Sequence, residues 1–129
     1  MRIYNIYNDT DIMEYIKCRI DPIYNISKGI ILEDGYNIAG FILYHEEIKT
    51  NNKIAHIDFI FNENNIILNC FLNKFHNKMK HENFNLILYT IELDIEIINK
   101  YIDCKYRMFC FKNNKCTLYK KINTNIYRI

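Results

Sequence analysis

The sequence is poor in the residues that interrupt regular structure, and several common residues are missing. Its 129 residues include three glycines, one proline, two alanines and no tryptophan, valine or glutamine. So little glycine and proline excludes collagen and Gly/Pro-rich linkers, and the absence of a fixed period excludes repeat solenoids. Half of the residues are hydrophobic, which supplies a core and excludes wholesale disorder. The length predicts a single domain over residues 1–129.

Strong net charge, long apolar runs and paired cysteine motifs are also missing. The formal net charge is +2, so no partnership with nucleic acid or membrane is expected. No apolar run approaches the roughly 18 residues of a membrane span, and the first residues lack the apolar region of a signal peptide. We therefore expect a cytoplasmic protein whose five cysteines are free thiols. No group of His and Cys has zinc-ligand spacing, so no metal is expected.

Isoleucine and asparagine are present in excess. The chain has 26 isoleucines and 19 asparagines, both of which have A/T-rich codons. This bias predicts an AT-rich genome, in which tolerant positions drift toward these residues. Ile and Asn therefore carry less information here than usual, and each remaining Gly, Pro, Asp or Glu carries more.

Hydrophobic periodicity predicts ten elements in the order β-α-β-β-β-α-β-α-β-β. Asp11 and Glu14 have the spacing of a capping box at the first helix, and Asp94 is the predicted cap of the last. Three consecutive strands, a β-α-β unit and a closing hairpin imply an α/β fold, with a mixed sheet of about seven strands and flanking helices. The strands are predicted at 2–7, 30–32, 38–44, 54–61, 84–91, 106–111 and 116–122, and the long helix at 66–80.

This element order, together with three local stretches, resembles the GCN5-related N-acetyltransferase (GNAT) fold over residues 2–121. Residues 34–41 resemble the central hairpin of that family, and residues 54–62 resemble the strand that leads into its cofactor loop. Residues 98–106 resemble its late helix, which reads leucine-tyrosine, three residues, then glycine-phenylalanine.

In the late helix, Tyr101 takes the tyrosine position of the family, Lys105 replaces the glycine and Tyr106 takes the phenylalanine position. The resemblance implies that an amine attacks the thioester of acetyl-CoA, while a base removes a proton and an acid protonates the thiolate. It implies the acid role for Tyr101, whose alternative is a tyrosine packed on the last helix.

Candidates for the base lie on one face of the strand at 54–61. They are Asp58 and His56, followed by Glu46 and Glu47 at the end of the preceding strand. The alternative for Asp58 is a solvated sheet face, because an acid among Ile and Phe needs water or a partner. The alternative for His56 is a structural role.

The cofactor loop departs from the family pattern of Gln/Arg-x-x-Gly-x-Gly/Ala, whose glycines admit the CoA pyrophosphate to a helix N-terminus. The aligned segment, residues 65–70, contains no glycine, and Leu68 stands at the first glycine position. The cofactor-binding residues that the resemblance implies are Ile60, Asn62, Asn65, Leu68, Asn69 and Cys70.

Two functions therefore compete. The first is a divergent N-acetyltransferase that uses acetyl-CoA and an unknown amine acceptor, either a small molecule or a protein. The alternative is a catalytically inactive GNAT-fold protein that binds a macromolecular partner. Aromatic residues of the closing hairpin offer a possible homodimer surface, and they are Tyr106, Phe109, Phe111 and Tyr119.

The closing hairpin also predicts that two neighbouring cysteines stay apart. A turn centred on Asn113 and Asn114 sets Cys110 opposite Thr117. Because successive side chains alternate between faces, Cys110 and Cys116 then point to opposite sides, and no disulfide can join them.

Overall fold

The structure is a computed structural model that describes residues 2–6, 10–21, 28–35, 37–62 and 68–123. Its ten elements follow the predicted order. They are β1 (Arg2–Asn5), α1 (Thr10–Lys17), β2 (Gly29–Asp34), β3 (Asn37–Lys49), β4 (Asn52–Asn62), α2 (Leu68–His81), β5 (Leu86–Glu92), α3 (Ile95–Asp103), β6 (Arg107–Lys112) and β7 (Lys115–Lys121). Among the described residues, no helix is long and apolar enough to cross a membrane.

The strands form one mixed sheet of seven in the order β1-β2-β3-β4-β5-β7-β6. β4 and β5 run parallel, with Ile54–Ile57 opposite Leu86–Tyr89. The pairs β1–β2, β2–β3, β5–β7 and β6–β7 are antiparallel. This arrangement confirms the predicted α/β fold with its mixed seven-stranded sheet and flanking helices.

The chain divides into two compact units. The first unit comprises residues 1–44 and 58–75, and the second comprises residues 45–57 and 76–129. β3, β4 and α2 each contribute residues to both units. The single-domain expectation stays a prediction.

The core of the first unit is built on α1. Ile12 and Ile16 are four residues apart, so they share one helical face and pack against Ile31, Phe41 and Leu43. Ile6, Tyr15, Ile20, Ile38, Phe59 and Phe61 surround this cluster.

The predicted capping box of α1 is wrong. The helix begins at Thr10, so Asp11 lies within its first turn rather than at the cap. A carboxylate in the first turn favours the helix through its dipole.

Gly40 of β3 allows a close approach within the first unit. A Cβ atom there would lie 2.5 Å from the carbonyl oxygen of Phe61 and 2.9 Å from the ring of Phe71. The Phe71 ring of α2 therefore packs directly over the bare backbone of β3. Any larger residue at this position would push α2 away from the strand.

The closing hairpin of the second unit has the predicted register. Asn113 and Asn114 form its turn with φ angles of 53° and 59°, which asparagine tolerates better than most residues. Cys110 lies opposite Thr117 and Phe111 opposite Cys116, as predicted. All five cysteines are free, which confirms the thiol prediction.

The helix α3 begins as predicted but buries a different face. The Asp94 side chain caps it by accepting hydrogen bonds from the backbone N–H groups of Glu96 and Ile97, at 3.0 and 3.3 Å. The buried residues are Ile98 and Tyr101, whereas Ile95 is 74% exposed. The spacing of Ile95, Ile98 and Ile102 predicts that these three form the apolar face. This prediction is wrong, because the helix packs through the i, i+3 pair of Ile98 and Tyr101.

Candidate functional site

The second half of β4 brings three of the predicted site residues to one face of a strand. Asp58, Ile60 and Asn62 alternate along β4 and are all half-buried. Phe59 and Phe61 point the other way, where they pack against the core built on α1. One β4 face of the first unit thus carries a carboxylate, an apolar side chain and an amide.

Asn62 stands out on this face because its amide is enclosed. Both Oδ1 and Nδ2 are buried, and neither forms a hydrogen bond with any residue that the structure describes. Buried amide groups normally have hydrogen-bond partners, because an unsatisfied one costs about 1–3 kcal/mol. The end of β4 therefore presents one acceptor and two donor hydrogens that suit a polar ligand.

The start of α2 turns its bulky residue inward. Leu68 is buried, with 9% of its surface exposed, whereas Asn69 and Cys70 are exposed. Asn65 lies outside the described residues. The exposed side of the first turn of α2 therefore carries two small side chains, next to backbone N–H groups that have no intrahelical acceptor.

Tyr101 lies in the second unit and is buried on α3. Its ring packs edge-on against Tyr89 and Tyr106, with ring centroids 5.4 and 5.6 Å apart. Burial first, and then the neighbouring Tyr89, raises the pKa of the Tyr101 hydroxyl far above its usual range. This hydroxyl therefore stays protonated at physiological pH, and the same shift makes it a weaker acid than an exposed tyrosine.

A buried pair that was not predicted from the sequence lies beside Tyr101. A hydrogen bond of 2.7 Å joins His76 Nε2 and the hydroxyl of Tyr106. Burial, with a smaller contribution from Lys120, lowers the pKa of His76 to about 3, so this imidazole is neutral. The sequence does indicate that His76 is buried, because the spacing of Leu72, His76 and Met79 places it within the apolar stripe of α2.

His56 also lies in the second unit but is on the other face of the sheet from Tyr101. Ile57 is the register partner of Tyr89, on which Tyr101 packs, so the preceding residue His56 points to the opposite face. The structure therefore does not bring the predicted base His56 together with the predicted acid Tyr101.

His56 contacts side chains of the neighbouring strand β3. Its Nε2 lies 3.2 Å from Glu47 Oε1, and its ring stacks on His45 with centroids 4.7 Å apart. Glu46 instead pairs with Lys53, with 3.2 Å between Oε1 and Nζ. Glu46 and Glu47 both lie within β3 rather than at the end of a strand.

Among the described residues, no group of three or more His, Cys, Asp and Glu side chains is placed to hold a metal ion.

Several solved structures that are similar to this chain are acetyltransferases. An acetyltransferase from Bacillus subtilis in complex with CoA is 15% identical, with a TM-score of 0.68, and the match covers 93% of this chain and 97% of that one. An aminoglycoside 6′-acetyltransferase type Ii is 13% identical, with a TM-score of 0.71 and coverage of 98% and 100%.

A third similar structure carries the family name. It is an acetyltransferase of the GNAT family from Listeria monocytogenes, 13% identical, with a TM-score of 0.60 and coverage of 72% and 63%. No protein-family model and no curated protein matches the sequence at a significant level. At these identities the similarity shows the fold.

The neutral, buried state of His76 predicts a pH-dependent stability. The pKa of His76 is about 3 in the folded chain, against 6.5 for an ordinary histidine. The unfolded chain therefore binds the extra proton first, and stability is lost as the pH falls from 6.5 toward 3. Between pH 7.5 and 5, we expect the free energy of unfolding to drop by about 2 kcal/mol through this residue.

Urea unfolding of wild type, His76→Gln and His81→Gln at both pH values measures this effect. His81 is the matched control, because it lies on the same helix and is exposed. The drop should shrink in His76→Gln and persist in His81→Gln. An equal drop in all three proteins would contradict the prediction.

Proposed function

We propose that this chain, which has the fold of the GNAT acetyltransferases, transfers an acetyl group from acetyl-CoA to an amine. The observation that carries the proposal is the enclosed Asn62 amide at the end of β4, which has no hydrogen-bond partner among the described residues. It lies where the sequence resemblance places the cofactor. The fold shared with acetyltransferase structures, one of them in complex with CoA, supports the same assignment.

The residues of the first unit fit the parts of acetyl-CoA. The Asn62 amide offers an acceptor and donors to the amide groups of the pantetheine arm, and Ile60 offers apolar contact on the same face of β4. The first N–H groups of α2 and the partial positive charge there suit the pyrophosphate. Because Leu68 is buried, its side chain leaves the exposed side of this first turn open to the phosphates.

The role of the acid, which the resemblance implies for Tyr101, is assigned to that residue. When bound, the donor supplies an activated thioester, whose C–S bond breaks as the amine nitrogen forms its bond to the acetyl carbon. Tyr101 gives its proton to the departing sulfur and regains one from solvent. The proton that the amine loses passes to solvent. Neither predicted base is assigned this role, because Asp58 and His56 share one face of β4 and the sheet separates His56 from Tyr101.

A binding function is the second candidate, and the edge strand β6 favours it. β6 is the last strand of the sheet, and all six of its residues are exposed. Met108, Phe109 and Phe111 are 49%, 68% and 57% exposed. Exposed aromatic residues on an unpaired strand edge are typical of an interaction surface.

We propose a second copy of this chain as the occupant of this edge. A two-fold pair of β6 strands would satisfy the free backbone groups of both edges and cover both pairs of phenylalanines. Tyr106 of the predicted aromatic surface is excluded from it, because Tyr106 is buried in its own unit.

Calorimetric titration with acetyl-CoA tests the donor site. We expect binding to the wild type, and about a tenfold weaker Kd in Asn62→Leu, because that variant removes the amide hydrogen bonds. Asn73→Leu, at an exposed position of α2, is the control and should bind normally. No heat of binding at millimolar acetyl-CoA would refute the acetyltransferase proposal.

Tyr101→Phe tests the acid. Loss of a positioned proton donor lowers turnover by about 10²-fold or more, while the Kd for acetyl-CoA should change little. Thiol release from acetyl-CoA, followed with a panel of small amines and peptides, measures turnover and identifies the acceptor class. Tyr119→Phe on β7 is the control. Unchanged turnover in Tyr101→Phe would reject its role as acid.

Sedimentation velocity tests the dimer. The wild type should sediment as a dimer at micromolar concentration, and Phe109→Glu combined with Phe111→Glu should convert it to a monomer. Ile48→Glu on β3 changes an equally exposed apolar residue, 72% exposed, and should remain dimeric. A monomeric wild type would show that β6 does not pair with itself.

A further inference from the structure

We propose that a basic cavity in the second unit binds a phosphate-bearing small molecule. The cavity has a volume of about 370 Å³, which is in the range of small-ligand sites. Four of its five lining residues are cations, and none is a carboxylate. The lining residues are Lys105, Arg107, Tyr119, Lys120 and Lys121.

The register of the closing hairpin gathers these side chains. Arg107 at the start of β6 is the register partner of Tyr119 on β7. Lys120 and Lys121 follow Tyr119 at the end of β7, and Lys105 lies two residues before Arg107. Lys121 is opposite Leu86, so the cavity lies at the end of the sheet where β5 begins.

The cations of the cavity have no anionic partner in the part of the chain that the structure describes. None of the four forms an ion pair with another described residue. The partial negative charge of the carbonyl groups at the end of α3 offsets some of the charge of Lys105. These carbonyl groups already accept hydrogen bonds from the backbone N–H groups of Cys104, Lys105 and Tyr106. Four like charges around one cavity repel each other, and a bound anion would relieve that repulsion.

Lys120 is half-buried, whereas the other three cations of the cavity are exposed. Burial lowers its pKa, Cys104 acts in the opposite direction, and Lys105 lowers it further. A multiply charged anion in the cavity would therefore stabilise the charged form of Lys120.

The backbone at Lys105 has the left-handed conformation that commonly ends a helix, one residue after the Cys104 cap. Its φ is +72°, in the left-handed region that costs a lysine about 1 kcal/mol. Of the six described non-glycine residues with positive φ, four are asparagines, which tolerate this conformation better. Asn and Lys both have A/T-rich codons, so the codon bias does not favour Lys over Asn here.

Lys105 also stands where the related late helix has glycine. The chain thus has a lysine at a position where the backbone of glycine or asparagine would be less strained. We take the lysine at this position as support for a role of its positive charge in the cavity.

The lining chemistry identifies the ligand class. The guanidinium of Arg107 can bind a phosphate with two parallel hydrogen bonds, and lysines add point charges around it. Tyr119 adds a hydroxyl and a ring for the remainder of the molecule. A nucleotide-sized phosphate compound matches both the charge and the volume, whereas a net charge of +2 for the whole chain does not suit a long polyanion.

Titration of the full chain with ADP and with inorganic phosphate, at low and at moderate salt, tests the proposal. We expect ADP to bind and its affinity to fall with salt. Lys105→Asn removes the charge and relieves the backbone strain, so the Kd for ADP should weaken about tenfold while the melting temperature stays equal or rises. Arg107→Gln should weaken ADP and inorganic phosphate binding alike.

Two controls separate this cavity from other sites. Lys112→Asn removes a cation at the other end of β6, outside the cavity, and should leave ADP binding unchanged. Asn62→Leu should also leave it unchanged, because that residue belongs to the proposed acetyl-CoA site. ADP binding and acetyl transfer are therefore tested independently, and failure of one leaves the other unaffected.

Four outcomes would overturn the proposal. They are no ADP binding at millimolar concentration, an equal loss in Lys105→Asn and Lys112→Asn, a loss in Asn62→Leu, and tighter binding of a single-stranded oligonucleotide than of ADP. The third would place ADP at the end of β4, and the fourth would indicate a nucleic-acid surface instead.

Discussion

The parallel pairing of β4 with β5, Ile54–Ile57 opposite Leu86–Tyr89, is the constraint on which the second unit depends. Parallel neighbours cannot be joined by a tight turn, so the chain needs a crossover between them, and α2 lies in that connection. The pairing also orients Tyr89 toward the face on which Tyr101 packs. It therefore decides which side chains of β4 share a face with Tyr101.

Burial then determines the protonation states of the polar groups on that face. Removing a group from water disfavours its charged form, so the pKa of Tyr101 rises and that of His76 falls. The result is a neutral imidazole and two protonated phenols, since burial also raises the pKa of Tyr106. The buried groups of this face are therefore uncharged, whereas the cations of the basic cavity suit a charged ligand.

Local patterns were predicted well where neighbouring residues decide the outcome. The Asp94 cap, the Asn113–Asn114 turn and the separation of Cys110 from Cys116 depend on contacts within a few residues or across one hairpin. Prediction failed where packing decides. The buried face of α3 follows from where Tyr101 meets Tyr89, and the sequence has no local signal for that contact. Likewise, the alternation of side chains within one strand predicted that His56 and Asp58 share a face. Only the β4–β5 register shows that His56 lies on the face of the sheet opposite to Tyr101.

The sequence by itself determined the order of the elements, the mixed sheet, the hairpin register and the resemblance to the GNAT fold, because these follow from periodicity and turn chemistry. Only the tertiary structure decided that Leu68 turns inward, that the Asn62 amide is enclosed and that His76 joins Tyr106. It also gathered Lys105, Arg107, Lys120 and Lys121 around one cavity. These features depend on which elements pack together over long sequence separations, and such contacts leave no periodic signal in a single chain.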